Sequence, residues 1–141
     1  MDAALALADL TEISSQIEAA VLFDEAGTVL GSTLADERAA QALARSAAEL
    51  LAGAAAFRSS EAAVTQLEAS TQEGSVFVVR DGARRIAATT GSSPTVGLVF
   101  YDLKSCLRGT AEDVPPAKPT PQPAKPKTQP RRKKEPVDGE A

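Results

Sequence analysis

The sequence contains no histidine and no tryptophan, a single cysteine (Cys106) and only five aromatic residues in a chain of 141. Metal sites are commonly built from clustered His, Cys, Asp and Glu, and nucleophile–base catalysis usually recruits a histidine. The Gly-rich phosphate-binding patterns G-x-G-x-x-G and G-x-x-x-x-G-K are absent as well. These absences argue against an enzyme, and the sequence predicts no cofactor and no metal site.

The one cysteine also bears on the cellular compartment. A single thiol cannot form an internal disulfide, which favours a reducing, cytoplasmic setting. Cys106 follows the apolar pattern of the last predicted helix, where a buried small hydrophobic residue is a more ordinary role than a reactive thiol. The N-terminus lacks the basic region of a signal peptide, and no apolar run approaches the roughly 18 residues of a membrane span. We therefore expect a cytoplasmic protein without an integral membrane segment.

Proline and charge divide the chain into two parts. Eight of the nine prolines follow residue 114, and no aromatic residue follows Tyr101. Residues 1–110 hold eight Lys/Arg and fourteen Asp/Glu, a net charge of −6, whereas residues 111–141 carry a net charge of +2. We predict a globular domain at 1–110 and a disordered Pro/Lys-rich tail at 111–141. The acidic body argues against specific nucleic-acid binding, because phosphate affinity needs clustered positive charge.

A long alanine-rich segment at 33–57 is the strongest local signal. Its apolar residues recur every three to four positions, which places them on one helical face. Thr33 and Asp36 precede the run as a helix-start signal. Small side chains let another backbone approach closely, so this helix suits both a sheet surface and a copy of itself. A core helix without a partner role is the alternative.

The rest of the pattern alternates short strands with helices. It predicts an N-terminal helix at 1–14 and a hairpin of two strands at 17–24 and 28–32. After the long helix it predicts three further strands at 64–70, 76–79 and 84–90, and a closing helix at 94–109. The order αββαβββα indicates an α+β fold with a mostly antiparallel sheet flanked by helices.

Two of these segments carry more specific predictions. The strand at 64–70 places Thr65, Leu67 and Ala69 on one face and Val64 with polar residues on the other, which suits a sheet edge that another chain can extend. For the closing helix, Ser92 or Ser93 is the predicted cap and Gly109 the predicted end. The run 96–101 also fits a strand, although the helix is favoured.

Taken together, these elements resemble the roadblock/dynein-light-chain family over about residues 3–109. The resemblance is carried by the hairpin AVLFDEAGTVLGST (20–33), the alanine-rich helix, and the runs EGSVFVVRDGARRIAATTG (73–91) and TVGLVFYDLKSCLRG (95–109). It implies a five-stranded antiparallel sheet between helices, of the roadblock, longin and profilin type. It also implies a homodimer, or a heterodimer with a roadblock paralogue, in which the long helices pair and the third strands meet. Bacterial roadblock proteins commonly act with small Ras-like GTPases, so the resemblance implies such a partner.

The resemblance supplies no catalytic residues. From position alone we predict dimer or partner contacts at six residues: Ala40, Leu43, Ala47, Leu50, Leu51 and Leu67. The favoured function is a non-enzymatic dimeric regulator or scaffold for a small Ras-like GTPase.

The tail suggests an alternative function. Its near-repeats PAKP at 116–119 and 123–126 favour an extended polyproline conformation, and a basic cluster follows at Arg131, Arg132, Lys133 and Lys134. Such a tail suits an aromatic groove of a partner, an anionic lipid surface, or an acidic protein or nucleic acid; a solubilising tether is the simplest interpretation. The alternative function is thus a structural adaptor whose tail recruits a cytoskeletal, polarity or membrane-associated partner.

Overall fold

The computed structural model describes residues 2–57 and 64–111, the side chain of residue 111 excepted. The elements follow the predicted order: α1 (Ala3–Ile13), β1 (Ile17–Asp24), β2 (Val29–Ser32), α2 (Glu37–Ala55), β3 (Gln66–Ser70), β4 (Ser75–Asp81), β5 (Arg84–Thr90) and α3 (Val96–Ala111). The αββαβββα order is confirmed, and 96–101 is helical. None of the described helices is long and apolar enough to cross a membrane.

The five strands form one sheet in the order β2-β1-β5-β4-β3, and every neighbouring pair is antiparallel. Hairpin turns join β1 to β2, as predicted, and β4 to β5. In the β1–β2 turn the Asp24 carboxylate accepts from the backbone N–H of Ala26 and Thr28, both at 2.9 Å, and Gly27 has φ 87°. In the β4–β5 turn Gly82 has φ 62°. Glycine has no Cβ and adopts such positive φ values without strain.

One face of the sheet, which we call the closed face, is covered by α1 and α3. Its core contains large side chains from α1, from α3 and from the sheet, among them Leu7, Leu10, Phe77, Ile86 and Leu103. The Phe77 and Phe100 rings meet edge to face with their centroids 5.0 Å apart, a favoured aromatic arrangement. Helix α1 approaches β2 at Gly31, where an added Cβ would lie 2.9 Å from the Ala3 Cβ. The closed face is therefore tightly packed up to the β2 edge.

The predicted helix starts are partly confirmed. The Asp2 carboxylate caps α1 by accepting from the Leu5 N–H at 2.8 Å. Helix α2 begins after Asp36, whose carboxylate accepts from the Arg38 N–H at 3.0 Å, and not at Thr33. The Thr33 hydroxyl instead accepts from the Ala20 N–H at 2.9 Å and ties the end of β2 to β1.

Three local predictions are wrong. The Thr95 carbonyl accepts the first helical bond of α3 from the Val99 N–H, so neither Ser92 nor Ser93 caps that helix. Gly109 does not end α3, which continues to residue 111, because a glycine inside a helix costs little where packing holds the helix. Val64 precedes β3 and packs on the same side of the sheet as Leu67, because it lies outside the alternating register.

Candidate partner-binding face

Helix α2 lies over only one end of the other sheet face. Its buried residues Ala40, Ala44, Ala47 and Leu51 pack on side chains of β1, β4 and β5: Val21, Phe23, Val78 and Ala87. Its backbone approaches β1, β2 and β5. Three of the four buried helix residues are alanines, which allow a close approach to the sheet. The cover provided by α2 is therefore centred on the β2-β1-β5 end.

Within residues 2–57 and 64–111, the β4–β3 end of this face is only partly covered. Leu67 is paired opposite Val78, and Ala69 opposite Val76, so these four side chains share one face. Val78 is buried under α2, whereas Leu67, Ala69 and Val76 are half-buried. Apolar side chains thus continue beyond the helix to the edge of the sheet.

The two flanks of α2 face different parts of the sheet, and one of them faces its β4–β3 end. Gln41, Arg45 and Ala48 lie on the flank that borders the β1–β2 turn. At 100° per residue, Leu43 and Leu50 lie on the opposite flank, toward β3, and both are half-buried. Phe57 follows the helix and is 88% exposed. We call the set Leu43, Leu50, Leu67, Ala69 and Val76 the open face.

The free edge of β3 adjoins the open face. Within the described residues β3 pairs with β4 alone, so its other side presents backbone N–H and C=O groups to the outside. On the opposite sheet face β3 carries the exposed residues Gln66, Glu68 and Ser70. An edge strand of this kind can be extended by a strand of another chain.

The six predicted contact residues fall into two groups. Ala40, Ala47 and Leu51 are 3%, 0% and 8% exposed, and they hold α2 on its own sheet. Leu43, Leu50 and Leu67 lie on the open face, and Leu43 and Leu67 pack against the same core cluster. Their contact with a partner stays a prediction. The basic cluster Arg131, Arg132, Lys133 and Lys134 lies outside the described residues.

Two open-face residues, Ala69 and Val76, were not among the predicted contacts. The strand alternation places Ala69 on the same face as Leu67, and Val76 begins the strand predicted at 76–79. The signal that unites them is the antiparallel register, which sets Ala69 opposite Val76. The register alone does not show which residues are uncovered, because the uncovered part of the face depends on where α2 lies.

The thiol of Cys106 is unreactive. Cys106 is buried between α3 and α1, and its S–H donates to the Ala6 carbonyl with an S···O distance of 3.6 Å. Burial first, and then the negative charge of Asp9, raise the pKa of the Cys106 thiol to about 11. The thiol is therefore protonated at neutral pH and a poor nucleophile. Among residues 2–57 and 64–111, no three His, Cys, Asp or Glu side chains lie close enough together to hold a metal ion.

No protein-family model and no curated protein matches the sequence. Solved structures do match the fold. A Roadblock/LC7 domain from Streptomyces avermitilis superposes with a TM-score of 0.72 at 18% identity, over 81% of this chain and 98% of that one. Myxococcus xanthus MglB matches with a TM-score of 0.65 at 17% identity, over 79% and 86% of the two chains.

A third structure, the gliding protein mglB from Thermus thermophilus, gives a TM-score of 0.60 at 19% identity, over 78% of this chain and 86% of that one. The three comparisons span 78–81% of this chain. Together with the strand order β2-β1-β5-β4-β3 and the single described helix on one sheet face, they establish that this chain has the roadblock/LC7 fold.

Proposed function

We propose that two copies of the chain associate through the open face and the β3 edge, and that this dimer regulates or scaffolds a small Ras-like GTPase. The observation that carries the proposal is the apolar part of the α2 face that, among the described residues, is only partly covered and reaches the unpaired edge of β3. A two-fold axis at β3 would set each open face against its copy and pair the two α2 helices, a self-complementary contact.

The chemistry of the open face supports association of like chains. All five of its residues are apolar, although the body of the chain carries a net charge of −6. Charge repulsion between two acidic bodies is therefore absent from the open face itself, and Glu68 of the β3 edge lies on the other face of the sheet. Burying these half-exposed side chains would gain roughly 25 cal/mol per Å² of apolar surface removed from water.

Replacing Leu67 by aspartate tests the dimer. We expect Leu67→Asp to give a monomer by light scattering after gel filtration, because two like charges would meet at the β3 edge in an apolar contact. Leu98→Asp is the matched control, since Leu98 is 49% exposed on α3, on the other side of the sheet. A dimer in both variants, or a monomer in the unaltered chain, would contradict the proposal.

The GTPase part of the proposal rests on the family resemblance and on the likeness to MglB structures. Such a dimer would act by favouring one conformation of the switch loops of its partner, without supplying an acid or a base of its own. The extended sheet and the paired helices would form a rigid platform for that contact.

Nucleotide-dependent capture tests the GTPase partner. The full chain is immobilised and exposed to an extract of the cells in which it naturally occurs. GDP or a non-hydrolysable GTP analogue is added to the extract. We expect a small GTPase to be retained in one nucleotide state at least tenfold more than in the other, a difference of about 1.4 kcal/mol. The same capture with Leu67→Asp shows whether the dimer is needed. Absence of any small GTPase in both states would refute this part.

A structural adaptor is the second candidate, because the tail concentrates eight prolines and seven basic residues in 111–141. In that case the dimer would be an assembly node, and the tail would recruit a cytoskeletal, polarity or membrane-associated partner. A chain ending at residue 111 separates the two functions. An adaptor would lose its partner, whereas a GTPase regulator would keep its main contact.

A further inference from the structure

Exposed large apolar side chains are concentrated on α1 and α3. Five of the seven such residues in the described ranges lie on these two helices: Leu5, Ile13, Val96, Leu98 and Tyr101. The two helices also supply much of the core of the closed face with their inner sides. The helix pair therefore carries apolar surface toward the outside in addition to the surface that it buries against the sheet.

A groove of about 190 Å³ lies between α1 and α3. The two helices run antiparallel. At one end the backbone N–H of Thr95, just before α3, donates to the Gln16 side-chain oxygen, just after α1, at 2.6 Å. Farther along, Cys106 of α3 meets the carbonyl of Ala6 of α1. The groove thus follows the length of both helices toward the end of α3.

The groove combines an apolar floor with two acidic walls. Leu10 and Ile13 of α1 contribute to the floor, and the carboxylates come from Asp9 of α1 and Asp102 of α3. Its described lining residues include no Lys or Arg. Such a groove fits a segment that offers both apolar contact and positive charge, because a lysine stem covers apolar surface while its ammonium reaches a carboxylate.

Asp102 is the more unusual of the two acids. It is 6% exposed, and within residues 2–57 and 64–111 no group donates a hydrogen bond to its carboxylate. Arg108, one of the two cations of α3, bonds instead to the Ser105 hydroxyl at 3.2 Å. A carboxylate that is largely removed from water is costly unless a cation or a donor is paired with it. Asp102 therefore suits a cation from a segment outside the described residues.

The tail has the complementary composition and starts beside the groove. Gly109 lines the groove and lies two residues before Ala111, where α3 ends. The segment 115–126 reads PPAKPTPQPAKP, with two lysines and no acidic residue. From Ala111 to Lys118 an extended polyproline chain spans about 20 Å, whereas α3 from Gly109 back to Asp102 covers about 10 Å. The tail is thus long enough to reverse direction and reach Asp102.

We infer that residues 115–126 of the chain's own tail dock in the groove between α1 and α3. Proline rings and lysine stems cover the apolar floor, and a lysine ammonium pairs with Asp9 and Asp102. The groove lies on the closed-face side of the sheet, so this docking depends neither on the open face nor on a GTPase. A tail held in the groove is withdrawn from other partners until one of them competes successfully for it.

A spin label on the tail tests the docking in the full chain. Ala124→Cys places a nitroxide beside Lys125, and Cys106 stays unlabelled at neutral pH because its thiol is buried and protonated. We expect the nitroxide to broaden the ¹H–¹⁵N signals of Asp9 and Ile13. Both residues lie on α1, across the groove from the helix to which the tail is joined.

Matched acidic pairs test the groove side of the contact. Asp9→Asn/Asp102→Asn should reduce this broadening by about threefold or more, because the charge-assisted contacts are lost. Glu25→Gln/Glu49→Gln removes the same charge beside α2, on the other side of the sheet. That control should change the broadening by less than about 1.5-fold, because distant surface charges are screened by salt.

Matched lysine pairs test the tail side without altering the folded domain. Lys118→Gln/Lys125→Gln should reduce the broadening by about threefold or more, as in the groove variant, because the same contacts are lost. Lys133→Gln/Lys134→Gln removes the same charge from the basic cluster outside the docked segment. We expect it to leave the broadening of the α1 signals within about 1.5-fold, since these lysines are not part of the contact.

Three results would overturn the inference. In the first, broadening is confined to the last turn of α3, next to the attachment of the tail. In the second, the matched pairs on either side reduce the broadening equally, which would indicate unselective attraction between charges. In the third, nitroxide-bearing chains without ¹⁵N broaden the α1 signals of ¹⁵N-labelled chains without nitroxide, so that the groove accepts the tail of another copy.

Discussion

The two faces of the sheet are built differently. The closed face is covered by two helices and contains large side chains such as Leu10, Phe77 and Leu103. Among the described residues, the other face is covered by α2 alone, which contributes three alanines and one leucine to its buried contact. Because hydrophobic stabilisation follows the apolar area buried, the closed face must supply more of the folding free energy. The open face is left with apolar surface for a partner.

The helices of the two faces also differ in whether they pack against another helix. Helices α1 and α3 pack against each other as well as on the sheet, so each stabilises the other. Among the described residues, helix α2 has no such neighbour and the β3 edge is bare. A fold of this kind separates the part that must be stable from the part that remains available for association. The comparison can be tested one side chain at a time.

Removing the largest closed-face side chain should have the greatest effect. Phe77 is fully buried and meets Phe100 edge to face. We expect Phe77→Ala to lower the free energy of unfolding by about 3–5 kcal/mol, through lost burial and the cavity left behind. Urea unfolding followed by circular dichroism measures this change.

Phe57→Ala is the control, because Phe57 is 88% exposed in the monomer. The same substitution there should change the free energy of unfolding by less than about 0.5 kcal/mol. Equal effects at the two positions would mean that the closed face does not dominate folding.

Much of the fold could be predicted from the sequence, and particular residues explain why. The β1 and β5 bounds were predicted correctly because both strands lie beside turn signals, Asp24 to Gly27 and Asp81-Gly82. The end of α3 was not, since Gly109 is a stop signal only where packing does not hold the helix. The open face could be predicted only in part. The apolar spacing of α2 groups Ala40 and Ala47 with Leu43, and only the tertiary structure separates the sheet-facing alanines from the leucine on the flank.

A pH effect should follow from the buried thiol of the closed face. The pKa of Cys106 rises from its ordinary value of 9.0 to about 11 in the folded chain, mainly through burial. Between these values the unfolded chain loses the thiol proton and the folded chain keeps it, so stability is complete below pH 9 and falls toward pH 11. The loss from this group should reach up to about 3 kcal/mol, at 1.36 kcal/mol per pKa unit.

The variant Cys106→Ala isolates this contribution. Its stability at neutral pH should fall slightly through lost packing, but its decline between pH 9 and 11 should be shallower than in the unaltered chain. Urea unfolding at several pH values provides both curves. Parallel curves would show that Cys106 titrates in the folded chain as it does in the unfolded one.

The smallest and sharpest comparison lies on one strand. Val76 and Val78 point to the same sheet face, but Val78 is fully buried under α2 and Val76 belongs to the open face. Valine and threonine have similar shapes, so each Val→Thr change mainly adds a hydroxyl. Val78→Thr should cost about 1–3 kcal/mol at every protein concentration, because the hydroxyl is buried in an apolar site.

Val76→Thr should behave differently, because in the proposed dimer the cover of Val76 depends on association. In dilute protein, where the monomer prevails, its hydroxyl remains hydrated and the cost should stay below about 0.5 kcal/mol. At concentrations where the open face is covered by a second copy, the cost should rise toward that of Val78→Thr, since stability is then coupled to dimerisation. Urea unfolding over a hundredfold range of concentration measures both variants. A cost of Val76→Thr that is small and independent of protein concentration would show that no second copy covers the open face. The apolar character of the open face would then be unrelated to self-association.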